Sequence, residues 1–249
     1  MNSKAVYIFP YYFFYSNEIY KSLDGFSKED ISLLFTTLYL NVLENLAGKE
    51  DKVDIYCIWN EIDKDNLPEE FVNFNCKMIF TNVSDKKQIF EKLSSKQFSL
   101  YKNNLIVFSD VIDIRSSDYD QYFNLLNIDD ESLVIAKEKE NNIAVLGFNN
   151  YSDEIISSLV LSGFDYNDFL SRIKSSEHFI HIVNDVLLVR SITNFKQLYA
   201  ELSQKKSMEY CSQKMHERFT HLFVEYKDLL KWVKLEYSAV RLTQYITVI

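Results

Sequence analysis

The run Asn104–Phe108 (NLIVF) constrains the fold of this chain more than any other feature. It is apolar at successive positions and bounded by polar residues, so a strand formed there is buried on both faces. Strands of that kind belong to sheets with helices packed on both sides. Other short segments join it: Lys4–Phe9 (KAVYIF), which ends at Pro10, then Lys52–Trp59, Lys77–Phe80, Ser132–Lys137 and Ile143–Phe148. Between them lie helical patterns. Ser27, with Asp30 three residues later, opens a helix whose apolar positions Ile31, Leu34, Leu38, Val42 and Leu46 recur at helical spacing until Gly48. Alternating strands and helices predict an α/β fold with a mostly parallel central sheet flanked by helices.

The remaining elements complete that pattern. An aromatic loop is expected after the first strand, a short helix or turn at Pro68–Phe74, and a Lys-rich helix after Ser84 with Ile89, Phe90 and Leu93 inward. Asp118 is placed to cap a helix over Tyr119–Leu126, and Glu140-Asn141-Asn142 to turn a hairpin, since Asn tolerates positive φ. Helices follow at Asp153–Leu161, ending at Gly163, and near Tyr166–Ile173. Phe179–Val183 and Val186–Val189 read as extended, and Thr193 as the cap of a helix to about Leu202. Residues 1–203 therefore form the α/β domain. Residues 204–249 read as a long amphipathic helix and a β-prone tail. From Ser207 to Tyr237 the stripe Met208, Cys211, Met215, Phe219, Leu222 and Tyr226 continues through Leu229 and Val233 at spacings of three and four. An apolar face of that length predicts a homodimer through residues 205–249, with packing on the chain's own domain as the alternative.

Charge and cysteine content exclude several classes. The net charge of −9 argues against nucleic acid as a partner, although residues 205–249 alone hold eight Lys/Arg against five Asp/Glu. Cys57, Cys76 and Cys211 are odd in number and lack metal-ligand spacing, which suits a reducing compartment, and the cytoplasm is the expected location. The aromatic start, interrupted by Pro10, has no small-residue cleavage site, and no 20-residue apolar run predicts a membrane span. Four glycines, none in a dinucleotide or P-loop pattern, disfavour those nucleotide sites.

Three strings carry a family resemblance. Val107–Ile114 (VFSDVIDI), Leu133–Phe148 (LVIAKEKENNIAVLGF) and Leu188–Leu198 (LVRSITNFKQL) occur in the order found in a bacterial glycosyltransferase-like family. That family has a nucleotide-diphospho-sugar-transferase core and includes proteins linked to arsenosugar biosynthesis. The resemblance covers about residues 4–202 and implies a GT-A-like fold. Asp110 looks like the family's key aspartate and Asp113 like its later one; Glu140, Asn141 and Asn142 fall on an Asp-Gly-Gly turn, Gly147 is retained, and Leu188 and Arg190 replace two aspartates. The family's basic nucleotide loop is replaced by Pro10-Tyr11-Tyr12-Phe13-Phe14-Tyr15, with no basic residue between Lys4 and Lys21.

The resemblance implies that Asp110 is the metal ligand, for magnesium or manganese, whose oxygen preference suits a carboxylate. Asp113, Tyr12, Lys21, Glu140, Asn141 and Asn142 are the further candidates for contact with a nucleotide sugar. Each has a structural alternative: a carboxylate capping its loop, an Asn-rich turn without ligand, aromatics covering the sheet. Asp118-Tyr119-Asp120 reads as Asp-x-Asp, but negative side chains at a helix start have a sufficient reason in its free amides. His178 and His181 point to opposite faces of an extended segment, and Ser109 lacks the context of a nucleophile elbow. The expected function is binding or assembly on a nucleotide-sugar-transferase scaffold. The alternative is a metal-dependent glycosyl- or nucleotidyltransferase with an altered donor.

Overall fold

The computed structural model describes residues 3–81, 86–94, 96–173 and 178–230. Its sheet has seven strands: β1 Lys4–Phe9, β2 Asp54–Asn60, β3 Lys77–Thr81, β4 Asn103–Phe108, β5 Ser132–Lys137, β6 Ile143–Asn149 and β7 Phe179–Ile182. Their spatial order is β3-β2-β1-β4-β6-β5-β7. Only β6 runs against the others, pairing antiparallel with β4 and β5, so the sheet is mostly parallel as the patterns predicted. All six residues of β4 are buried, as a central strand requires.

The helices are α1 Tyr11–Ser22, α2 Lys28–Leu46, α3 Lys86–Ser94, α4 Ser116–Leu125, α5 Asp153–Leu161, α6 Tyr166–Arg172, α7 Ile192–Leu202, α8 Gln213–Glu225 and the short α9 Lys227–Leu230. They cover both faces of the sheet. Strand alternation divides the core in two: Val6 and Ile8 pack with α2, α4, α7 and α8, while Ala5, Tyr7 and Phe9 pack with α3, α5 and α6. Ser27 caps α2 by accepting from the Asp30 amide, Gly48 closes it at φ 81°, and Gly163 follows α5 at φ 60°. None of the helices among the described residues is long and apolar enough to cross a membrane.

Several expectations need correction. The aromatic stretch after β1 is a helix, α1, rather than a loop. Aromatic residues are weak helix formers and Pro10 supplies no side-chain cap, so local signals were poor; the helix instead rests on the burial of Ile19 and Leu23. Asp118 does not open α4. Arg115 holds the N-cap position, and Asp118 reaches back to its amide at 2.8 Å. Ser191, not Thr193, caps α7 by accepting from the Asn194 amide. Val186–Val189 stays outside the sheet, Val111 and Leu188 forming one antiparallel bridge.

The expected single helix from Ser207 is broken. A 3-10 turn over Lys205–Glu209 leads to Ser212, whose hydroxyl accepts from the Met215 amide and so starts α8. Met215, Phe219 and Leu222 are buried against the chain's own core, beside α2. Tyr226 fixes the end of α8: its ring stacks on Phe26 at 3.7 Å, its hydroxyl donates to Asp30 at 2.6 Å and accepts from the Ser27 amide at 3.0 Å. The stripe thus meets the domain it follows as far as Leu230. Ser84, the rest of the stripe and the β-prone tail lie outside the described residues.

Candidate functional site

Parallel register brings the chain's polar residues to one edge. Phe9 lies opposite Phe108, so Pro10-Tyr11 and Ser109-Asp110 leave the sheet side by side, and the Ser109 amide donates to the Phe9 carbonyl at 2.9 Å. In open α/β sheets this carboxyl edge is where ligands bind. The segment 187–189 is sewn along it: the Ile112 amide donates to Leu187 O (3.2 Å), Leu187 N to the Asp113 carboxylate (2.8 Å) and Val189 N to Asp110 O (2.9 Å). Arg190 is thereby delivered to Asp110.

That meeting defines the site. Asp110 is fully buried, and Arg190 forks onto it, Nε at 2.5 Å from one oxygen and Nη2 at 3.5 Å from the other. The guanidinium lies 3.4 Å from the centre of the Tyr11 ring and 5.7 Å from that of Phe108, so cation–π attraction adds to the ion pair. Glu138, just past β5, is buried beside the pair and accepts from the Asn142 side chain. Burial raises its pKa, while the Asn142 amide and Arg190 oppose that shift. Tyr11 is shifted upward by burial as well, against the lowering effect of Arg190.

A divalent cation does not fit these residues. Both Asp110 oxygens face the guanidinium, and among the described residues no three His, Cys, Asp or Glu side chains converge as a ligand set. The fixed charge of Arg190 neutralises Asp110, but a guanidinium has no vacant coordination position with which to polarise a phosphate.

The other predicted residues are dispersed. Asp113 accepts from Leu187 and lines two cavities that Asp110 does not line; burial raises its pKa. Tyr12 lies in the first turn of α1 and its side chain is outside the described residues. Lys21 is exposed in the last turn of α1, ten residues from Tyr11 and so about 15 Å along the helix, well away from Asp110. Asn141 takes positive φ, 68°, and its carbonyl accepts from the Tyr166 amide at 2.7 Å. Glu140 is exposed and lines the smaller cavity, about 340 Å³, together with Glu138 and Asp113. Asp120 is exposed and pairs with Lys49 at 2.7 Å.

Arg190 and Glu138 were not among the predicted site residues. The signal for Arg190 was a single cation following the apolar Val186-Leu187-Leu188-Val189, adjacent to nothing acidic in sequence. No local signal distinguished Glu138 from the neighbouring Lys-Glu residues.

No protein-family model and no curated protein matches the chain. Solved structures do. A protein described as a nucleotide-diphospho-sugar transferase, from Desulfovibrio desulfuricans, aligns with a TM-score of 0.70 at 12% identity, over 94% of this chain and 99% of that one. The 4-diphosphocytidyl-2C-methyl-D-erythritol synthase of Anaerococcus prevotii aligns with a TM-score of 0.53 at 11% identity, over 81% of this chain and 96% of that one. At such identities the likeness establishes the fold: a nucleotide-diphospho-sugar-transferase scaffold.

Proposed function

We propose that this chain serves in binding or assembly on that scaffold and does not carry out metal-dependent group transfer. The buried Asp110–Arg190 fork carries this reading. Where the family resemblance implies a carboxylate free to hold a cation, this chain has a carboxylate committed to a guanidinium. Opening the pair to admit a metal would leave two charged groups needing new partners in a site that excludes water, at a cost of several kcal/mol. The loop expected to receive a diphosphate is instead a helix, whose Tyr11 ring packs on the same guanidinium. Any small molecule at this edge meets an aromatic and hydrogen-bonding surface with little spare positive charge.

The names of the two structural relatives make nucleoside-diphosphate sugars and cytidine nucleotides the ligands to test. Calorimetric titration of the full chain with uridine, guanosine, cytidine and thymidine diphosphate sugars, with and without magnesium or manganese, is expected to show dissociation constants no tighter than about 1 mM, near −4 kcal/mol. Micromolar binding that needs the metal and is lost in Asp110→Ala would overturn the proposal in favour of a transferase with an altered donor.

Assembly is the second part of the reading. Because α8 already buries Met215, Phe219 and Leu222 within its own domain, a homodimer through residues 205–249 draws on the other faces of that segment. Light scattering after size exclusion tests it: twice the chain mass of 29.5 kDa supports a dimer, and 29.5 kDa alone rejects it.

A further inference from the structure

The sheet ends at β7, and that edge is open. The Phe179 amide donates to the Glu131 carbonyl at 2.8 Å and the Val183 amide to that of Ile135 at 3.0 Å, so the odd-numbered residues face β5. Alternate residues of a parallel ladder face the other way. The N–H and C=O of Ile180 and Ile182 therefore point out of the sheet, with no backbone partner among the described residues. β7 reads Phe-Ile-His-Ile and carries neither the lysine nor the proline that commonly guards an edge. Phe179 is 53% exposed and Ile182 56%, on opposite faces of the strand. A cavity of about 700 Å³ follows β7, every residue from 179 to 186 contributing to its lining.

Two segments could complete this edge: a second copy's β7, or residues 243–249 (TQYITVI) of the chain itself, which lie outside the described residues. Thr243, Ile246, Thr247, Val248 and Ile249 are β-branched, and alternation sets Ile246 and Val248 on one side with Tyr245 on the other. Beside β7, the first two meet the face of Ile180 and Ile182, and Tyr245 meets that of Phe179 and His181. Each exposed apolar residue then gains a cross-strand neighbour. Charge decides between the two segments. Five carboxylates line the cavity against two cations, Arg115 and Lys206, and Lys137 pairs with one of those carboxylates, Asp185, at 3.5 Å. An excess of two negative charges remains. It opposes a second copy of the same edge but suits residues 231–249, whose side chains hold Lys231, Lys234 and Arg241 against Glu236 alone. The opposite edge, β3, begins at Lys77 and is followed by α3, which opens with Lys86-Lys87, so it repels the same segment.

Length permits the connection. Leu230, the last described residue, is buried in the core on the α2 and α7 side of the sheet. The intervening residues 231–242 can span up to about 40 Å, whereas the four strand spacings from β1 to β7 cover about 19 Å. We propose that residues 243–249 add to β7 of their own chain as a further strand of the sheet. Tethering through a short linker gives the segment a local concentration on the order of millimolar, which favours its own β7 over that of another copy. The inference does not rest on the Asp110–Arg190 edge, and it holds for a monomer and for a dimer alike.

Amide exchange followed residue by residue in the full chain tests it, against a full-length variant combining Ile246→Pro with Thr247→Pro. Bonded amides alternate along a strand, so two consecutive prolines remove one in either register. In the unaltered chain the Ile180 and Ile182 amides are expected to exchange at least about tenfold more slowly than in an unfolded peptide, and the double variant should abolish that protection. The amides of His181 and Val183, which face β5, should stay slow in both proteins and report that the fold is kept. Light scattering should give the two proteins the same mass. Unprotected Ile180 and Ile182 amides in the unaltered chain, or protection that survives both prolines, would overturn the proposal. Protection lost together with a halving of the mass would assign the strand to a second copy and overturn it as well.

Discussion

Removing Arg190 as Arg190→Met tests the central pair, because the change keeps much of the side chain's volume and deletes only its charge and donors. Asp110 is fully buried and the Arg190 side chain 11% exposed, so water screens their attraction little. An uncompensated buried charge costs about 3–5 kcal/mol. In a chain of this size each kcal/mol moves the melting temperature by about 2–4 °C, so a fall of at least about 6 °C is expected. The two single variants should differ. Asp110→Leu leaves a guanidinium still resting on Tyr11 and partly open to water, and it should cost less than Arg190→Met, which strands a carboxylate in the core. Replacing both residues, Asp110→Leu with Arg190→Met, removes the charges together, and the double variant should be more stable than the sum of the singles by about 2–3 kcal/mol. Urea unfolding followed by circular dichroism measures all four corners of the cycle, provided the denaturant slope is unchanged. If Arg190→Met costs less than about 1 kcal/mol, as an exposed pair would, or the two changes simply add, the buried fork is not what holds this edge together.

Gly147→Ala should destabilise by about 1–3 kcal/mol in the same assay, since an added Cβ would meet Leu105 Cδ2 at 2.7 Å and Val134 Cβ at 3.2 Å between neighbouring strands. Tyr226→Phe should lower stability by about 1 kcal/mol through loss of the hydroxyl's bonds to Asp30 and Ser27, read as a shift in the urea midpoint. Asp113 has a folded-state pKa raised above the ordinary 3.8 by burial, so the folded chain binds its proton more tightly than the unfolded chain and stability falls as pH rises from about 3.8 through the folded value. Asp113→Asn, which keeps an acceptor for the Leu187 amide, should therefore raise the melting temperature at pH 7 and lose that advantage below pH of about 4, a difference that melting curves across pH will show.

The strands were legible because their evidence is local. Lys4–Phe9 and Asn104–Phe108 show in a few residues both the apolar content and the boundaries that burial in a covered sheet demands, and the structure places both at its centre. The Asn141 turn was equally readable, since its positive φ depends on the residue itself. The C-terminal helix shows the limit of periodicity. Spacings of three and four continue from Met208 to Tyr226, yet Met208 is 56% exposed, Tyr210 and Cys211 are buried within a turn, and α8 begins only at Ser212's cap. A turn that happens to bury residues at helical intervals leaves the same trace in sequence as a helix does; only a cap distinguishes them, and Ser212 was that cap.

The site was less legible than the fold for a related reason. Asp110 stood out through the family resemblance, but what a buried carboxylate can do depends on its partner, and Arg190 lies 80 residues away. The two meet through backbone bonds between 110–113 and 187–189, a pairing with almost no side-chain pattern of its own. Arg190 considered alone therefore gave no sign of a partner for Asp110. Beside Asp110 it acquires a different physical meaning: the carboxylate is held against a positive charge tethered to the chain. A tethered cation cannot leave with a product or be shared with a diphosphate, and its geometry is set by the helix and strand ends that hold it. The pairing makes Asp110 structurally necessary, which is why the stability of the double variant, rather than the presence of Asp110, measures its part as one half of an internal ion pair.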